Sequence, residues 1–393
     1  MHAMRLSLTA PERRLQEEVR RFLAGHIPDT LPHALDERIE ALRRWQTCCY
    51  DAGYVGRAWP HAFGGGGAPA VEQIIVDQEL AAAGAPEFVN VVGLDVLGPS
   101  LLRFGTDEQR ARYIGPILSG EEIWCQGFSE PDAGSDLASL RTTAVAQDDH
   151  FVVSGQKTWV SWGQFARWCG LLARTEDGDG PRHRGISMLI VPMDSPGIEV
   201  RPMTQITGHA EFCELFLDDV VVPRANLLGA RGDGWKIAMY TLGHERGTAA
   251  LPRQVKLRTW LDRLVRTVGE RRLDGEVLLD DPRAQIELAR ALIGIEVLRH
   301  HAYRTVGAFL SGGAVGPESS SVKLLMAEAE QRLAATAIDL LGPTLHQSDP
   351  EAADEDEFWQ ETYLYSRAAS VYGGTGQIQR NIIADRVLAL PQE

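Results

Sequence analysis

The decisive stretch of this sequence is Trp124-Cys-Gln-Gly-Phe-Ser-Glu-Pro-Asp-Ala-Gly-Ser-Asp136. A short apolar run ends at Ser129-Glu130-Pro131, and a turn rich in Gly, Ser and Asp follows it. Pro131 fixes its own φ and has no amide donor, so a regular strand is expected to stop there. The turn suits a tight loop whose free amides and hydroxyls can hold a polar ligand. An ordinary transition from strand to loop has the same pattern, so this stretch alone leaves both interpretations open.

Composition indicates a large globular protein. The 393 residues suggest two or three domains, and 44% hydrophobic residues suffice for a sizeable core. The net charge of −15 argues against nucleic acid or an anionic membrane surface as partner. The five cysteines fit neither a disulfide framework nor a zinc site, so we expect no metal and a cytoplasmic location. The N-terminus does not resemble a signal peptide, and no apolar run approaches the roughly 20 residues of a membrane span.

Hydrophobic periodicity divides the chain into three segments. Residues 11 to about 122 have a helical pattern, with Thr106 and Gln109 predicted as a capping box at one helix start. Residues 123 to about 228 contain short Val-, Ile- and aromatic-rich runs punctuated by Gly, Pro and Asp, which are typical of a β-sandwich or barrel. Long helical patterns return at Trp235–Val268, Pro282–Leu310, Ser320–Leu341 and Trp359–Leu390. Pro252 is expected to kink the first of these helices, and the acidic segment Glu351–Glu357 is expected to be a solvated loop.

The predicted fold class is therefore α+β, with an N-terminal helical domain (1–122), a central β-barrel or sandwich domain (123–230) and a C-terminal four-helix bundle (231–393). Several motifs along this order resemble those of the acyl-CoA dehydrogenases. The motifs are Phe128–Asp136, Ser154–Ser161, Phe216–Pro223, Leu242–Arg246 and Val371–Ile383. Each motif is weak alone, but their common order covers most of the chain, and on it the chain is identified as a member of that family.

The resemblance implies an FAD bound between the β domain and the bundle. Ser129 and Ser161 match positions whose hydroxyls contact the flavin ring, Ser161 next to the reactive N5, and Trp159 matches an aromatic that packs on the ring. A wide π-face needs an aromatic neighbour, and N5 needs a donor that stabilises the reduced flavin. Without the motif, the pattern around Trp159 indicates a core aromatic in a strand. The predicted cofactor set also includes Gln126, Phe128 and Ser135, and a C-terminal closing loop with Gly374, Thr375 and Gln377.

The adenosine side of the cofactor matches less well. The family often places an Arg, an aromatic three residues later and a further Gln in the bundle, reaching the FAD of a neighbouring subunit. Here Arg271 is the predicted cofactor contact, but Asp274 replaces the aromatic and Pro282 falls near the Gln position. A basic surface loop is the alternative interpretation of this segment.

The family reaction requires a carboxylate that removes the proton α to a thioester, with a pKa raised by burial. Many members carry this Glu in a Tyr-Glu-Gly triplet, but this sequence has Tyr372-Gly373-Gly374. Isovaleryl and long-chain types place it in Leu-x-x-Glu-Arg, which matches Glu245 here. The helical pattern places Glu245 on the same face as Ala238, Leu242 and Ala249. The alternative is a structural pairing of Glu245 with a bundle arginine.

The substrate-binding residues implied are Ser135, Arg246, Tyr372 and Gly373. The resemblance implies α,β-dehydrogenation of an acyl-CoA, as in fatty acid β-oxidation, with an electron-transferring flavoprotein as acceptor and a dimer or homotetramer. The altered base position and Trp235 favour a branched, bulky or sterol-derived acyl group. Two alternatives stay open: a non-catalytic subunit of a heteromer with a related chain, and a flavin oxidase or monooxygenase. The sequence does not distinguish CoA from acyl carrier protein or identify the electron acceptor.

Overall fold

The computed structural model describes residues 8–176, 180–248, 250–273, 275–310, 316–342 and 354–391, with the backbone alone for 244–248, 273, 308–310 and 354. Helices precede and follow a block of strands, so the predicted α+β class is confirmed. By its contacts the chain forms two compact units. One consists of Met1–Gly25, Ile74–Ala85 and Arg246–Glu393, and the other of His26–Gln73 and Pro86–Glu245. The domain boundaries near residues 122 and 230 stay predictions.

The N-terminal part of the chain is helical. Its helices are α1 (Ala10–His26), α2 (Leu35–Asp51), α3 (Ala70–Ala82), α4 (Gly98–Phe104) and α5 (Asp107–Ser119). The capping box predicted at the start of α5 is present. The Thr106 hydroxyl accepts from the Gln109 amide at 3.2 Å, and the Gln109 side chain accepts from the Thr106 amide at 3.1 Å. Two of the first-turn amides are thereby satisfied.

An eight-stranded sheet forms the centre of the second unit. Its strands are β1 (Trp124–Gly127), β2 (Thr143–Ala146), β3 (His150–Ser161), β4 (Trp168–Arg174), β5 (Ile186–Pro192), β6 (Ile198–Met203), β7 (Phe212–Pro223) and β8 (Leu227–Leu228). The order is β6-β7-β3-β2-β4-β5-β8, and β1 pairs with β4 in parallel. One apolar core is shared by the side chains of β2, β3, β4, β5 and β7. Cys125 of β1 packs into the same core.

The C-terminal part contains α6 (Gly234–Thr248), α7 (Ala250–Glu270), α8 (Pro282–Leu310), α9 (Ser319–Leu341), α10 (Asp354–Ser366) and α11 (Gly376–Ile382), with a small hairpin of β9 (Arg272–Leu273) and β10 (Glu276–Val277). Helices α7, α8, α9 and α10 share one buried apolar core, to which α10 contributes the fully buried Trp359. This is the expected four-helix arrangement. Within the described ranges, no helix has the length and apolar character needed to cross a membrane.

Two predictions about the C-terminal helices were wrong. The single helix predicted for Trp359–Leu390 is interrupted after Ser366 by a 3₁₀ turn, and α11 begins only at Gly376. The second half of the break has a local cause, because Gly373 and Gly374 adopt φ of 61° and 93°. These values favour glycine and do not occur inside an α-helix, so no helix can run through these two positions. The acidic run predicted as a solvated loop is helical from residue 354.

The reason for the second error is that Glu355 has three side-chain partners, of which Arg263 and Thr267 are half-buried and Trp359 is buried. Its carboxylate accepts from Arg263 Nε at 2.7 Å, Thr267 Oγ1 at 2.8 Å and Trp359 Nε1 at 2.8 Å. Composition alone does not reveal partners nearly one hundred residues away. The helix predicted for Trp235–Val268 is described as α6 and α7, and Ala249, where the kink near Pro252 would fall, lies outside the described residues.

Candidate active site

Ser129 and Trp159 belong to two segments that lie side by side. The Thr158 amide donates to the Ser129 carbonyl at 2.9 Å, so the chain leaving β1 runs against β3. An isolated bridge between Glu130 and Ala133 then turns the chain back around Pro131. Strand β1 ends at Gly127, four residues before the stop expected at Pro131. The Thr158–Ser129 hydrogen bond brings the segments that carry Trp159 and Ser129 together.

Trp159 occupies an irregular position in β3. The pairing of β3 with β7 shifts register between Lys157 and Val160, and Trp159 has φ of 58°. A bulky residue at positive φ is an outlier, and such strain concentrates at functional sites. The indole is 59% exposed and touches the Phe212 ring edge-on, at 6.0 Å between centroids. The alternative of a core aromatic is thereby excluded, and a broad apolar face is presented for a flat ligand.

The hydroxyls of Ser129 and Ser161 are the polar groups that the predicted flavin site places near this indole. Both residues are half-buried. Ser161 ends β3 opposite Phe212, and the next residue, Trp162, again has positive φ, at 55°. Within the described part of the chain, neither serine hydroxyl has a hydrogen-bond partner. Both are therefore available to donate to a ligand.

The other predicted residues of this region differ in accessibility. Gln126 is half-buried in β1, whereas the Phe128 side chain is buried and only 5% exposed. A contact of Phe128 with a ligand would therefore come from its backbone. Ser135 is exposed in the loop after Pro131, where a hydroxyl can reach a ligand from solvent.

The loop from Tyr372 to Thr375 is held by a residue that the sequence reasoning missed. Gln379 is fully buried, and its Nε2 donates to the carbonyls of Gly373 at 3.0 Å and Gly374 at 3.2 Å. The Thr375 hydroxyl caps α11 by accepting from the Ile378 amide at 3.2 Å. The sequence signal for this role is a polar residue among the apolar positions of a short helix. Such a residue needs hydrogen-bond partners inside the protein when it is buried.

Two cationic side chains of the C-terminal part have partners of their own. The ammonium of the buried Lys323 lies 4.4 Å from the centre of the Tyr372 ring, a cation–π geometry. The predicted cofactor contact Arg271 forms an ion pair with Asp356 of α10. Gln377 is exposed. Asp274 lies outside the described residues, so the adenosine-side contacts stay predictions.

Glu245, the predicted base, is in α6, but its side chain and that of Arg246 lie outside the described residues. The turns of α6 that precede Glu245 are partly buried. Ile237, Ala238 and Thr241 are buried, and the Thr241 hydroxyl lies 2.6 Å from that of Ser100 in α4. Because Glu245 follows Thr241 by four residues, its Cα lies on the same face of α6.

Glu130 and Lys157 form a buried ion pair that the sequence reasoning did not single out. Lys157 Nζ lies 2.7 Å from Glu130 Oε1, and the Lys157 and Glu130 side chains are 0% and 7% exposed. Burial raises the pKa of Glu130, but the charge of Lys157 and hydrogen bonds outweigh it, so the pKa lies below its usual value. Burial lowers the pKa of Lys157, against the opposing effect of Glu130.

Family models match nearly the whole chain. The acyl-CoA dehydrogenase N-terminal domain matches residues 9–121, the middle domain 125–220 and the C-terminal domain 232–388. The chain belongs to the acyl-CoA dehydrogenase family. It has the three-domain fold of these enzymes and is, like them, an oxidoreductase.

Individual relatives agree with this assignment. Acyl-CoA dehydrogenase IpdE1 of Mycobacterium tuberculosis is 41% identical over 96% of this chain and 98% of its own. The ChsE4-ChsE5 complex of Mycobacterium tuberculosis aligns with 30% identity and a TM-score of 0.85, over 99% of this chain and 100% of that one. The Tcur3481-Tcur3483 steroid ACAD aligns with 28% identity and a TM-score of 0.86, over the same shares of both chains.

Acyl-CoA dehydrogenases are flavoproteins, and the residues described above fit a flavin. The exposed Trp159 offers an aromatic face at the end of a rigid sheet, and Ser129 and Ser161 offer hydroxyls that have no partner among the described residues. Together these match the two needs of an isoalloxazine, which are a stacking surface and donors for its ring heteroatoms.

Proposed function

We propose that this acyl-CoA dehydrogenase uses FAD to introduce a double bond between the α and β carbons of an acyl-CoA thioester, with Glu245 as the base. The observation that carries the proposal is the exposed Trp159. It lies two residues before Ser161, on a segment that the Thr158–Ser129 hydrogen bond joins to the segment carrying Ser129. This is the arrangement expected for one face of a flavin.

The chemistry supplied by bound FAD is acceptance of the β-hydrogen as hydride. The protein's own groups supply the rest. Trp159 supports the ring by stacking, and the hydroxyls of Ser129 and Ser161 orient it by hydrogen bonds. Ser135 lies on the exposed loop where a thioester ligand could be bound. These roles bind and orient, and they leave proton removal to a separate group.

Glu245 is the proposed group for the α-proton. Gly373 occupies the position where many relatives carry the base and has no side chain, so another element has to provide the carboxylate. Helix α6 offers Glu245 on the face that Ile237 and Thr241 bury. A base must be held close to the reacting carbon, because alignment contributes more to the rate than basicity alone.

The proposed substrate is a bulky acyl-CoA, such as one derived from a steroid. Support comes from the similarity to a steroid ACAD and from Gly373, whose missing side chain leaves room near the expected acyl position. Electrons would pass to an electron-transferring flavoprotein. Arg246, Tyr372 and Gly373 are proposed to contact the substrate, and Gly374, Thr375 and Gln377 the FAD.

Oligomeric assembly is the second part of the proposal. We propose a homodimer, a homotetramer or a heteromer with a related chain, because one similar structure is the ChsE4-ChsE5 complex and the steroid ACAD carries the paired name Tcur3481-Tcur3483. A half-site subunit is the competing function. It is favoured by Gly373 in place of the usual Glu and by Arg271, which is paired with Asp356.

The test is bleaching of the flavin absorbance. It is measured with the purified chain alone and with the chain co-expressed with a related acyl-CoA dehydrogenase chain. FAD content is measured by absorbance, and straight-chain, branched and steroid-derived acyl-CoA esters are then added without oxygen. Bleaching by a bulky ester in the chain alone supports the proposal. A colourless chain that binds no added FAD contradicts it, and bleaching only in the co-expressed complex supports the half-site function.

A further inference from the structure

The Lys157–Glu130 pair raises the question of why a buried charge pair is kept in a β core. Lys157 is the second residue before Trp159, and Glu130 directly follows Ser129. Both side chains are almost completely buried. Replacing such a pair by well-packed apolar residues is often neutral or stabilising, so a buried ion pair is weak evidence for a stabilising role. A role in specifying local geometry is the alternative explanation.

The pair joins the two segments that carry the proposed flavin contacts. Lys157 Nζ donates to the Phe128 carbonyl at 3.2 Å as well as to Glu130 Oε1 at 2.7 Å. The Thr158 amide donates to the Ser129 carbonyl between them. Three consecutive residues, 128 to 130, are thus each bound by residue 157 or 158. The Ser129 backbone has little freedom to shift against β3.

Glu130 is fixed from its other side as well. Its Oε2 accepts from the Arg141 amide at 2.6 Å, and its Oε1 accepts from the Thr142 amide at 2.9 Å. These amides precede β2, the strand that pairs with β3. The carboxylate therefore bonds to three donors, two of them backbone groups that cannot rotate away. This makes Glu130 a fixed acceptor for the Lys157 ammonium.

Lys157 also borders the irregular stretch of β3. The Lys157–Leu215 pair is the last before the register shift with β7, and pairing resumes at Val160, which leaves Trp159 at its positive φ. A strained residue keeps its conformation only when the surrounding structure over-determines it. The buried ammonium supplies such an anchor at the beginning of the irregular stretch.

We propose that Lys157 and Glu130 are positioning residues for the cofactor: their buried ion pair fixes Ser129 and Trp159 in the relative placement that an isoalloxazine ring requires. The inference rests on the proposed function. Neither side chain needs to touch the flavin, since both act through the backbone of their neighbours.

The experiment compares FAD binding and folding in three variants and a matched control. Lys157→Met removes the charge and keeps an unbranched chain, Glu130→Gln keeps the shape, and the double variant removes both charges. The control is Glu79→Gln, because Glu79 is another buried carboxylate, 8% exposed, with Arg20 at 2.7 Å in the other compact unit. FAD is removed, and its dissociation constant is measured by fluorescence quenching, with thermal unfolding and the visible flavin spectrum recorded in parallel.

We expect the single variants to bind FAD about 10- to 100-fold more weakly, the range known for residues that orient metal ligands, with shifted flavin absorption bands. Glu79→Gln is expected to unfold at lower temperature with unchanged FAD affinity. The double variant is expected to regain part of the lost thermal stability, because it leaves no unpaired buried charge. It is not expected to regain FAD affinity, because a methionine in place of Lys157 cannot donate to the Phe128 carbonyl. FAD affinity that recovers together with stability in the double variant, or unchanged affinity in the single variants, overturns the inference. A wild-type chain that binds no FAD overturns the proposed function instead.

Discussion

The Trp159 indole meets the Phe212 ring edge-on, at 6.0 Å between centroids and 74° between planes, across an irregular part of the β3–β7 pairing. Phe212 supports one edge of the indole, while 59% of Trp159 stays exposed. Edge-to-face contacts of this kind orient an aromatic without covering its faces. Phe212 therefore limits the rotation of Trp159 and leaves a face open for stacking.

Trp159→Ala is expected to weaken FAD binding without destabilising the fold. Loss of the stacking surface should cost about 0.5–1.5 kcal/mol beyond the buried area. The free energy of unfolding should change by less than about 0.5 kcal/mol, because the residue is mostly exposed. Titration with FAD and urea unfolding measure the two effects. Val221→Ala, also exposed on this sheet at 55%, is the control and should change neither quantity.

Glu245→Gln is expected to retain FAD and lower the turnover with acyl-CoA by a factor of about 10²–10⁴, the usual contribution of a general base. Stopped-flow bleaching of the flavin measures the loss. Bleaching at a near wild-type rate would show that another group removes the α-proton. The companion variant Glu245→Gln/Gly373→Glu places a carboxylate at a φ of 61°, where a side chain is strained by about 1–2 kcal/mol. Partial recovery of turnover would show that both positions reach the same carbon.

Gln379→Leu is expected to destabilise the loop of Gly373 and Gly374. The substitution leaves two carbonyls without their side-chain donor, and an unsatisfied buried group costs about 1–3 kcal/mol. Urea unfolding measures the effect. The matched control is Gln377→Leu, two residues earlier and exposed, for which a change below about 0.5 kcal/mol is expected. Equal effects of the two substitutions would contradict the assignment of Gln379 as the residue that holds the loop.

Acid unfolding is expected to depend on Glu130. Its pKa in the folded protein lies below the usual 4.5, so the unfolded chain binds a proton first as the pH falls. The ionised pair therefore contributes stability that is complete above the unfolded pKa and is lost as the pH falls through the lower, folded value. Unfolding monitored by circular dichroism between neutral pH and about pH 3 should be less pH-dependent in Glu130→Gln. An unchanged pH dependence would show that the pKa of Glu130 is the same in the folded and unfolded states, which contradicts the prediction.

The thiols are expected to be unreactive in the folded protein, with one exception. Cys49, Cys125, Cys169 and Cys213 are buried, whereas Cys48 is half-buried. Burial raises the pKa of Cys213 to about 12, and thiolate is the reactive form. A colorimetric thiol reagent should therefore modify about one thiol per native chain and about five after denaturation. Rapid modification of several native thiols would contradict the packing of the β core.

Local and motif-scale features were predictable from the sequence, because they depend on residues close together in the chain. The order of helices and strands follows from hydrophobic periodicity. The capping box of Thr106 and Gln109 needs only two residues three apart. The family follows from several short motifs in a fixed order. In each case the interaction that decides the structure lies within one short segment of the chain.

Features decided by pairing between distant segments required the tertiary structure. The exposure of Trp159 depends on how β3 pairs with β7, and Lys157 finds Glu130 27 residues away. The acidic run is helical because Glu355 meets Arg263 of another helix. A charged or aromatic residue gives the same sequence pattern in a strand whether it is buried, paired or exposed. Only the partner determines whether its desolvation is compensated, and the partner is set by the fold.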